Sequence, residues 1–239
     1  MKRCIRLFVL CFFLFLVFWG VGCGGNKSMN GACPQTNISI TVCDPDAGPF
    51  SLTIDNSFFP VVVGNQSVFE GEDDEGAMIR LEISVLDETE EVAGVTARVV
   101  EEREFVDGEL VEVSRNFFAQ APEGTVCYFG EDVDIFEGGV VVSHEGAWRA
   151  GENANLPGII MPANPEVGMV FSQESAPGIA EDQAEVIALG ETIEVPAGTF
   201  DDTLTTEDCN PLGGGAKDNK VYVRGIGLSI DEDADLISF

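Results

Sequence analysis

The sequence predicts an all-β protein, a single antiparallel meander that forms a curved sheet or a barrel. Residues 79–85 alternate strictly between apolar and polar side chains, as in a strand with one buried face. Asp107-Gly108 separates two β-rich runs, 95–106 and 109–118, and this dipeptide is among the strongest signals for a two-residue hairpin. No window shows a sustained helical period, and short strands at this spacing are typical of meanders and barrels.

The remaining strands follow in chain order. A second hairpin is predicted at Gly138-Gly139, between residues 133–137 and 140–144. Later strands are predicted at 169–173, 184–189, 192–195, 199–206 and 221–230.

The hairpin at Asp107-Gly108 also predicts a register. A two-residue loop places Arg103 opposite Glu112, which predicts a cross-strand ion pair. The alternation slips at Val99-Val100, where we expect a bulge.

A proline-rich apolar segment, residues 156–165, interrupts the strand pattern. Its three prolines argue against a central strand. It is either an ordered loop that covers one end or edge of the sheet, or a lid for an apolar ligand. In the second interpretation Ile159, Ile160 and Met161 point into a cavity.

The N-terminus predicts export. Lys2, Arg3 and Arg6 precede an apolar run at 7–21, which has the length of a signal-peptide core and is shorter than the roughly 20 residues that span a bilayer. The small residues 20–22 allow an ordinary secretory cleavage site.

The dipeptide Gly22-Cys23 favours a second kind of signal. It resembles the lipobox of bacterial lipoproteins, in which the cysteine becomes the new N-terminus and carries acyl chains, although Gly20 stands where leucine is typical. The resemblance implies lipidation of Cys23 and a lipid anchor in the cell envelope, since several acyl chains hold a protein on a membrane. Gly24 in place of aspartate implies the outer membrane, by analogy with enteric bacteria.

These signals divide the chain into three parts. Residues 1–22 are predicted as a lipoprotein-type signal peptide, 23–48 as a tether with a small disulfide loop, and 49–239 as the antiparallel β domain. The last part is long enough for one sizeable hydrophobic core.

The composition is strongly acidic. Removing a signal with three of the twelve basic residues and none of the 42 acidic ones leaves a formal charge of −33. Such a charge repels nucleic acid and anionic lipid head groups, so both are poor candidate partners. The chain is nevertheless 45% apolar, which predicts a folded protein.

The cysteine count predicts two disulfides. Four cysteines remain beyond the signal and Cys23, and an even number in an exported chain is typical of disulfide bonding. They allow three connectivities, of which we favour Cys33–Cys43 with Cys127–Cys209. A metal site is the alternative, but these cysteines form no C-x-x-C pair and lack a histidine cluster.

Four stretches in order carry a resemblance to a known family: YFGED at 128–132, PGIIMPANP at 157–165, VPAGTF at 195–200 and YVRGIGLSI at 222–230. They resemble a family of uncharacterised bacterial secreted proteins and lipoproteins. The resemblance implies a β fold and an envelope location, and no activity. Cys127 stands where the family has an aromatic residue, which fits a disulfide peculiar to this chain.

The sequence offers little for catalysis. His144 is the only histidine, and as a strand-end residue it is expected to face solvent. No nucleophile elbow, phosphate loop or dinucleotide fingerprint is present. A glycan hydrolase needs only two carboxylates, and 42 acidic residues leave that alternative open without singling out a pair.

Calcium is the one candidate cofactor. Asp231, Asp233 and Asp235 have the D-x-D-x-D spacing that begins a calcium loop, but Leu236 replaces the required glycine and the chain ends early. A solvated acidic surface is the simpler interpretation.

Taken together, the residues predict a non-enzymatic binding protein of the envelope. Its expected partner is a small apolar ligand or another envelope protein, beside the membrane itself. The alternatives are a carboxylate-dependent glycan hydrolase and a calcium-stabilised structural surface protein.

Overall fold

The computed structural model describes residues 32–239, which form an all-β protein as predicted. Two short 3₁₀ helices, Ile40–Cys43 and Pro45–Ala47, precede the strands. Within this part of the chain, no helix has the length and apolar character needed to cross a bilayer. The strands are β1 (Gln66–Glu72), β2 (Met78–Val92), β3 (Val95–Val106), β4 (Glu109–Gln120), β5 (Val126–Glu137), β6 (Val140–Ser143), β7 (Trp148–Arg149), β8 (Gly158–Met161), β9 (Val170–Ser172), β10 (Gln183–Leu189), β11 (Ile193–Val195), β12 (Gly198–Phe200), β13 (Thr203–Asn210), β14 (Ala216–Val223), β15 (Gly227–Asp231) and β16 (Ala234–Ser238).

Fourteen of these strands form one antiparallel sheet. Its order is β6-β5-β4-β3-β2-β1-β16-β15-β14-β13-β10-β9, and β7 and β8 both pair with β5. The two halves of the meander therefore join where β1 pairs with the last strand, β16. Strands β11 and β12 make a separate ribbon. The predicted curved meander is confirmed, and the sheet is not closed into a barrel by strand pairing.

The two ends of the sheet nevertheless come close together. An isolated bridge joins Leu156, just before β8, to Ser175, just after β9. A Cβ atom at Gly158 would overlap the backbone carbonyl of Gln173, so only glycine allows this close approach. The curvature that brings β8 against β9 encloses the inner face of the sheet.

Tight turns connect the long strands. At Ala93-Gly94, Asp107-Gly108 and Gly138-Gly139, both residues have positive φ, as a type I′ turn requires. The hairpins predicted at Asp107-Gly108 and Gly138-Gly139 are thus confirmed.

The predicted register of the first hairpin is wrong by one residue. A shift between Glu104 and Phe105 places Glu104 opposite Glu112, and Arg103 opposite Val113. Arg103 instead contacts Glu101 on its own strand, 2.8 Å away. The irregularity expected at Val99-Val100 lies on the neighbouring strand β2, which bulges opposite Val99.

The later strands occur where they were predicted, with two subdivisions. Residues 199–206 contain the end of β12, a turn and the start of β13, and residues 221–230 contain the end of β14, a turn and β15. The Pro196-Ala197 turn joins β11 to β12, so the VPAGTF stretch forms a small hairpin.

Part of the segment before β1 packs against the face of β4 and β5 that points away from the cavity. Phe50 contacts Phe129 edge to face, with 5.3 Å between ring centroids, and Ser51 pairs with Gln120 at the end of β4. Both faces of this part of the sheet are therefore buried, which explains why Val99 and Val100 are both inaccessible.

The predicted disulfide pairing is wrong, although both disulfides are present. Cys33 bonds Cys209 on β13, and Cys43 bonds Cys127 on β5. Residues 32–48, predicted as part of a tether with its own disulfide loop, are instead bonded to the β domain at two points. Sequence proximity misled the prediction, because the segment lies against distant strands.

Candidate functional site

A cavity of about 120 Å³ lies inside the curve of the sheet. Strands β1–β4 supply one side and strands β14 and β15 the other, while residues 59–65 and β8 complete the lining. An apolar cavity of about 150 Å³ admits a molecule the size of benzene, so this one suits a single ring or a short chain.

Most of the cavity wall is apolar. Inward-facing residues of neighbouring strands form this wall. Val85 on β2 lies opposite Val100 on β3, and Ile83 lies opposite Glu102. Phe59 contacts Phe118 edge to face at 5.2 Å between centroids. The apolar lining residues are Phe59, Pro60, Val61, Phe69, Ile83, Val85, Val100, Phe118, Ile160, Ile226 and Leu228.

Five polar residues of the cavity come from two inward positions on β3 and β4 and three on β14 and β15. The residues are Glu102, Asn116, Lys220, Tyr222 and Asp231. Asn116 is fixed in place, since its Oδ1 accepts a hydrogen bond from Tyr128 Oη at 2.5 Å and its Nδ2 donates to Ser114 Oγ at 3.2 Å. A ligand with one apolar part and one polar part matches this arrangement.

Lys220 is the only cation among the lining residues. It lies opposite Asp231 across the β14–β15 pair, with its Nζ 3.1 Å from Asp231 Oδ1. Burial by itself lowers the pKa of Lys220, but the charges of Asp231 and Asp208 outweigh burial and hold that pKa well above its ordinary value. Lys220 is therefore a fixed positive charge that its own carboxylates already compensate.

A second polar group, the carboxyl cluster of Glu131, Glu174 and Asp182, is buried beyond the cavity. The backbone amides of Gln173 and Glu174 donate to the Asp182 carbonyl, and this brings the side chains of Glu174 and Asp182 together. Burial raises the pKa of Glu174 well above its usual range, and the charges of Asp182 and Glu131 raise it further. Burial, with the charge of Asp208, raises the pKa of Asp182 to about 8.

Aromatic rings connect the cavity to the carboxyl cluster. Phe118 stacks on Tyr128 at 4.8 Å, and Tyr128 meets Trp148 edge to face at 5.3 Å. Trp148 Nε1 donates to Glu174 Oε1 at 3.4 Å. The column also links the two polar regions, because the Tyr128 hydroxyl interacts with Asn116 in the cavity and with Glu131 in the carboxyl cluster.

The three residues predicted as a ligand lid, Ile159, Ile160 and Met161, lie in strand β8, and all three are buried. Pairing with β5 is compatible with the flanking prolines because β8 has no ladder on its other side. Ile160 lines the cavity, whereas Ile159 and Met161 belong to the larger hydrophobic core outside it.

The three calcium candidates do not form one site. Asp231 ends β15 and points inward to Lys220, Asp233 is exposed in the β15–β16 turn, and Asp235 is partly buried on β16. Across residues 32–239, no group of three or more histidine, cysteine, aspartate or glutamate side chains is arranged to hold a metal ion.

Two further residues of the sequence analysis complete the account. His144 is largely exposed, and its Nδ1 lies 2.8 Å from the Val133 carbonyl and 2.9 Å from Asp134 Oδ1. Cys23, the predicted lipidation site, lies outside the described residues.

Sequence reasoning missed Glu102 and Lys220. In β3 both alternating sets carry charge, Glu102 and Glu104 on one and Glu101 and Arg103 on the other, so alternation cannot tell which set faces inward. The sequence hints only weakly that Lys220 is buried, since it directly precedes the apolar run 221–223. Its partner Asp231 follows only from the register of β14 and β15.

Fold and cavity together define an antiparallel β protein with an interior, mixed-polarity pocket. Comparison of the chain with family models, curated proteins and solved structures finds no match.

Proposed function

We propose that this chain is an exported, lipid-anchored envelope protein that binds a small, largely apolar molecule in its interior cavity without chemical turnover. The observation that carries the proposal is the cavity itself, which lies within the curve of the sheet and is walled mainly by aromatic and aliphatic side chains. Apolar pockets with a few converging polar groups are typical of small-molecule sites.

The acidity and the disulfides support the location. Both disulfides tie the N-terminal segment to the β domain, and disulfides persist in oxidising compartments outside the cytoplasm. With the Gly22-Cys23 lipobox, they favour a domain held at the envelope by its N-terminus.

A glycan hydrolase is the second candidate, since Glu102 and Asp231 line the same cavity. We rank it lower because Asp231 is already held by Lys220. A hydrolase would lose turnover of glycan substrates on Glu102→Gln.

Native mass spectrometry of the full chain, purified from an exporting host, tests the binding function. We expect a retained small molecule that is absent from Val100→Phe, because the larger ring fills the cavity. Val142→Phe is the matched control, as Val142 is exposed on β6 away from the cavity. A molecule retained equally by both variants would place binding elsewhere and overturn the proposal.

A further inference from the structure

The two ends of the sheet meet at a seam, which is the line between residues 156–161 and residues 170–175. On one side of the seam, β7 and β8 pair with β5, and on the other side β9 pairs with β10. Within residues 32–239, the bridge between Leu156 and Ser175 is the only β-bridge that crosses the seam. A line held by one bridge opens at a lower free energy than strands joined by a full ladder.

The carboxyl cluster lies across this seam. Glu131 belongs to β5 on one side, whereas Glu174 and Asp182 flank the β9–β10 connection on the other. Trp148 on β7 spans the seam, because its Nε1 donates to Glu174 Oε1 at 3.4 Å. The three carboxyl residues are 1%, 1% and 2% exposed, so water does not screen them from one another.

One proton holds the cluster together. The side chains of Glu174 and Asp182 are hydrogen-bonded to each other. An ionised carboxylate only accepts hydrogen bonds, so this bond requires that one of the two groups is protonated. When both groups ionise, the hydrogen bond is replaced by repulsion between two buried charges, and Glu131 adds a third charge from across the seam.

The surroundings of the cluster set the pH at which the proton leaves. Asp208 on β13 acts on Asp182 as a like charge, and Lys220 on β14 acts as an opposite charge that is also paired with Asp231. Burial outweighs the attraction of Lys220 and raises the pKa of Asp182 to about 8. The other titratable groups that act on Asp182 or Glu131 are Glu102, Glu112, Tyr128 and Glu181.

We propose that the seam opens when the carboxyl cluster ionises, so that pH controls access to the interior of the sheet. The protonated cluster keeps the seam closed below about pH 8, and the closed state is lost as the pH rises further. The opening is local, because residues 33–43 are bonded to β13 through Cys33 and to β5 through Cys43, one strand on each side of the seam. It does not depend on a ligand in the cavity.

Trp148 reports the state of the seam. The chain has two tryptophans, so the full chain is prepared with Trp19→Phe, which leaves Trp148 as the single fluorophore. Acrylamide quenching is measured from about pH 6 to pH 9, on either side of the pKa of Asp182. We expect the quenching constant to rise with pH, since the ratio of open to closed seam increases up to about tenfold per pH unit for each proton released. The quenching constant is used because ionisation of Glu174 alone can change the intensity.

Hydrogen exchange followed by mass spectrometry distinguishes local opening from global unfolding. The Leu156 amide donates to the Ser175 carbonyl, and the Gln173 amide donates to the Asp182 carbonyl. After correction for the intrinsic pH dependence of exchange, these amides should lose protection as the pH rises. Amides of the β2–β3 ladder should keep theirs.

Two variants connect the opening to the cluster. Asp182→Asn keeps the size of the side chain but cannot ionise, so the ratio of open to closed seam at pH 9 should fall about tenfold relative to the wild type. Glu185→Gln is the matched control, because it removes a carboxylate from the neighbouring strand β10 and leaves the cluster intact. We expect this control to open like the wild type.

Three results would overturn the inference. A quenching constant that does not change with pH would show that the seam stays closed. Equal loss of protection at the seam and in the β2–β3 ladder would show global unfolding instead. An Asp182→Asn protein that opens like the wild type would separate the opening from the cluster. If this variant does not fold, the exchange pattern of the wild type decides, because seam amides that keep their protection at pH 9 exclude the opening.

Discussion

Lys220 and Asp231 face each other across β14 and β15 inside the curved sheet, with side chains 9% and 1% exposed and 3.1 Å between Nζ and Oδ1. Both residues line the cavity. Thr206 Oγ1 and Gln173 Nε2 hold the neighbouring Asp208 at 2.8 Å and 3.2 Å, so the acidic surroundings of Lys220 are fixed by hydrogen bonds.

Breaking this pair on one side should strongly destabilise the protein. Lys220→Met leaves Asp231 buried without its cation, and we expect the free energy of unfolding to fall by about 3–5 kcal/mol. The double variant Lys220→Met/Asp231→Leu removes both charges and should lose less than Lys220→Met alone. Urea unfolding of the three proteins measures this difference. A double variant less stable than the single one would show that the pair itself stabilises the fold.

The buried carboxyls predict that stability falls as the pH rises. Burial, with the charge of Glu102, raises the pKa of Glu112 from 4.5 to about 8. Between these two pH values the folded state binds more protons than the unfolded state, so the free energy of unfolding decreases with pH. One such group contributes at most about 1.4 kcal/mol per pH unit.

Glu112→Gln isolates this contribution. Its profile of unfolding free energy from pH 4.5 to 8 should be flatter than that of the wild type. Glu109→Gln, at an exposed position on the same strand, should keep the wild-type slope. A wild-type protein that gains stability between pH 5 and pH 8 would contradict the assignment.

The two disulfides should be required for full stability. Their pairing should be Cys33–Cys209 and Cys43–Cys127. Replacing either pair with serine should cost about 2–5 kcal/mol, because each bond links residues far apart in sequence. Thermal unfolding measures the cost, and mass spectrometry of non-reduced peptides establishes the pairing. A peptide linking Cys33 to Cys43 would disagree with the structure.

Gly158 should not tolerate a side chain. A Cβ there overlaps the Gln173 carbonyl, so Gly158→Ala must push β8 away from the end of β9, at a cost of about 3 kcal/mol. Gly190→Ala, at a positive φ with open space around it, should cost only about 1 kcal/mol. If chemical denaturation shows equal losses of unfolding free energy for Gly158→Ala and Gly190→Ala, steric overlap with Gln173 does not explain the need for glycine at 158.

The proposed lipid anchor predicts a change in fractionation. Cys23→Ala should move the full chain from the membrane fraction to the soluble fraction, because it removes the residue proposed to carry the acyl chains. Cys4→Ala, within the predicted signal, should stay with the membrane. Membrane-bound Cys23→Ala would refute lipidation at this position.

Local signals predicted most strands of the fold. Alternation at 79–85 and the positive-φ turn at Asp107-Gly108 depend on neighbouring residues, and both are confirmed. The pairing of Arg103 failed because a one-residue shift further along the hairpin depends on packing, which has no local signature.

The site was harder to predict than the fold. An apolar segment rich in proline stands out in the sequence, and Ile160 of this segment lines the cavity. Glu102 and Asp231 sit on strands far apart in sequence, and only the curvature that joins β1 to β16 brings them together. Their charge suggested solvent exposure, whereas the structure turns both inward.

The two disulfides also determine how a mechanical pull at the N-terminus would be transmitted. Cys33 transfers tension directly to β13 and, once residues 34–42 are taut, Cys43 transfers it to β5. Those strands lie on opposite halves of the sheet, beside β10 and β4. Force applied at the N-terminal end would therefore reach the interior through covalent bonds, without first separating the outer segment from the domain.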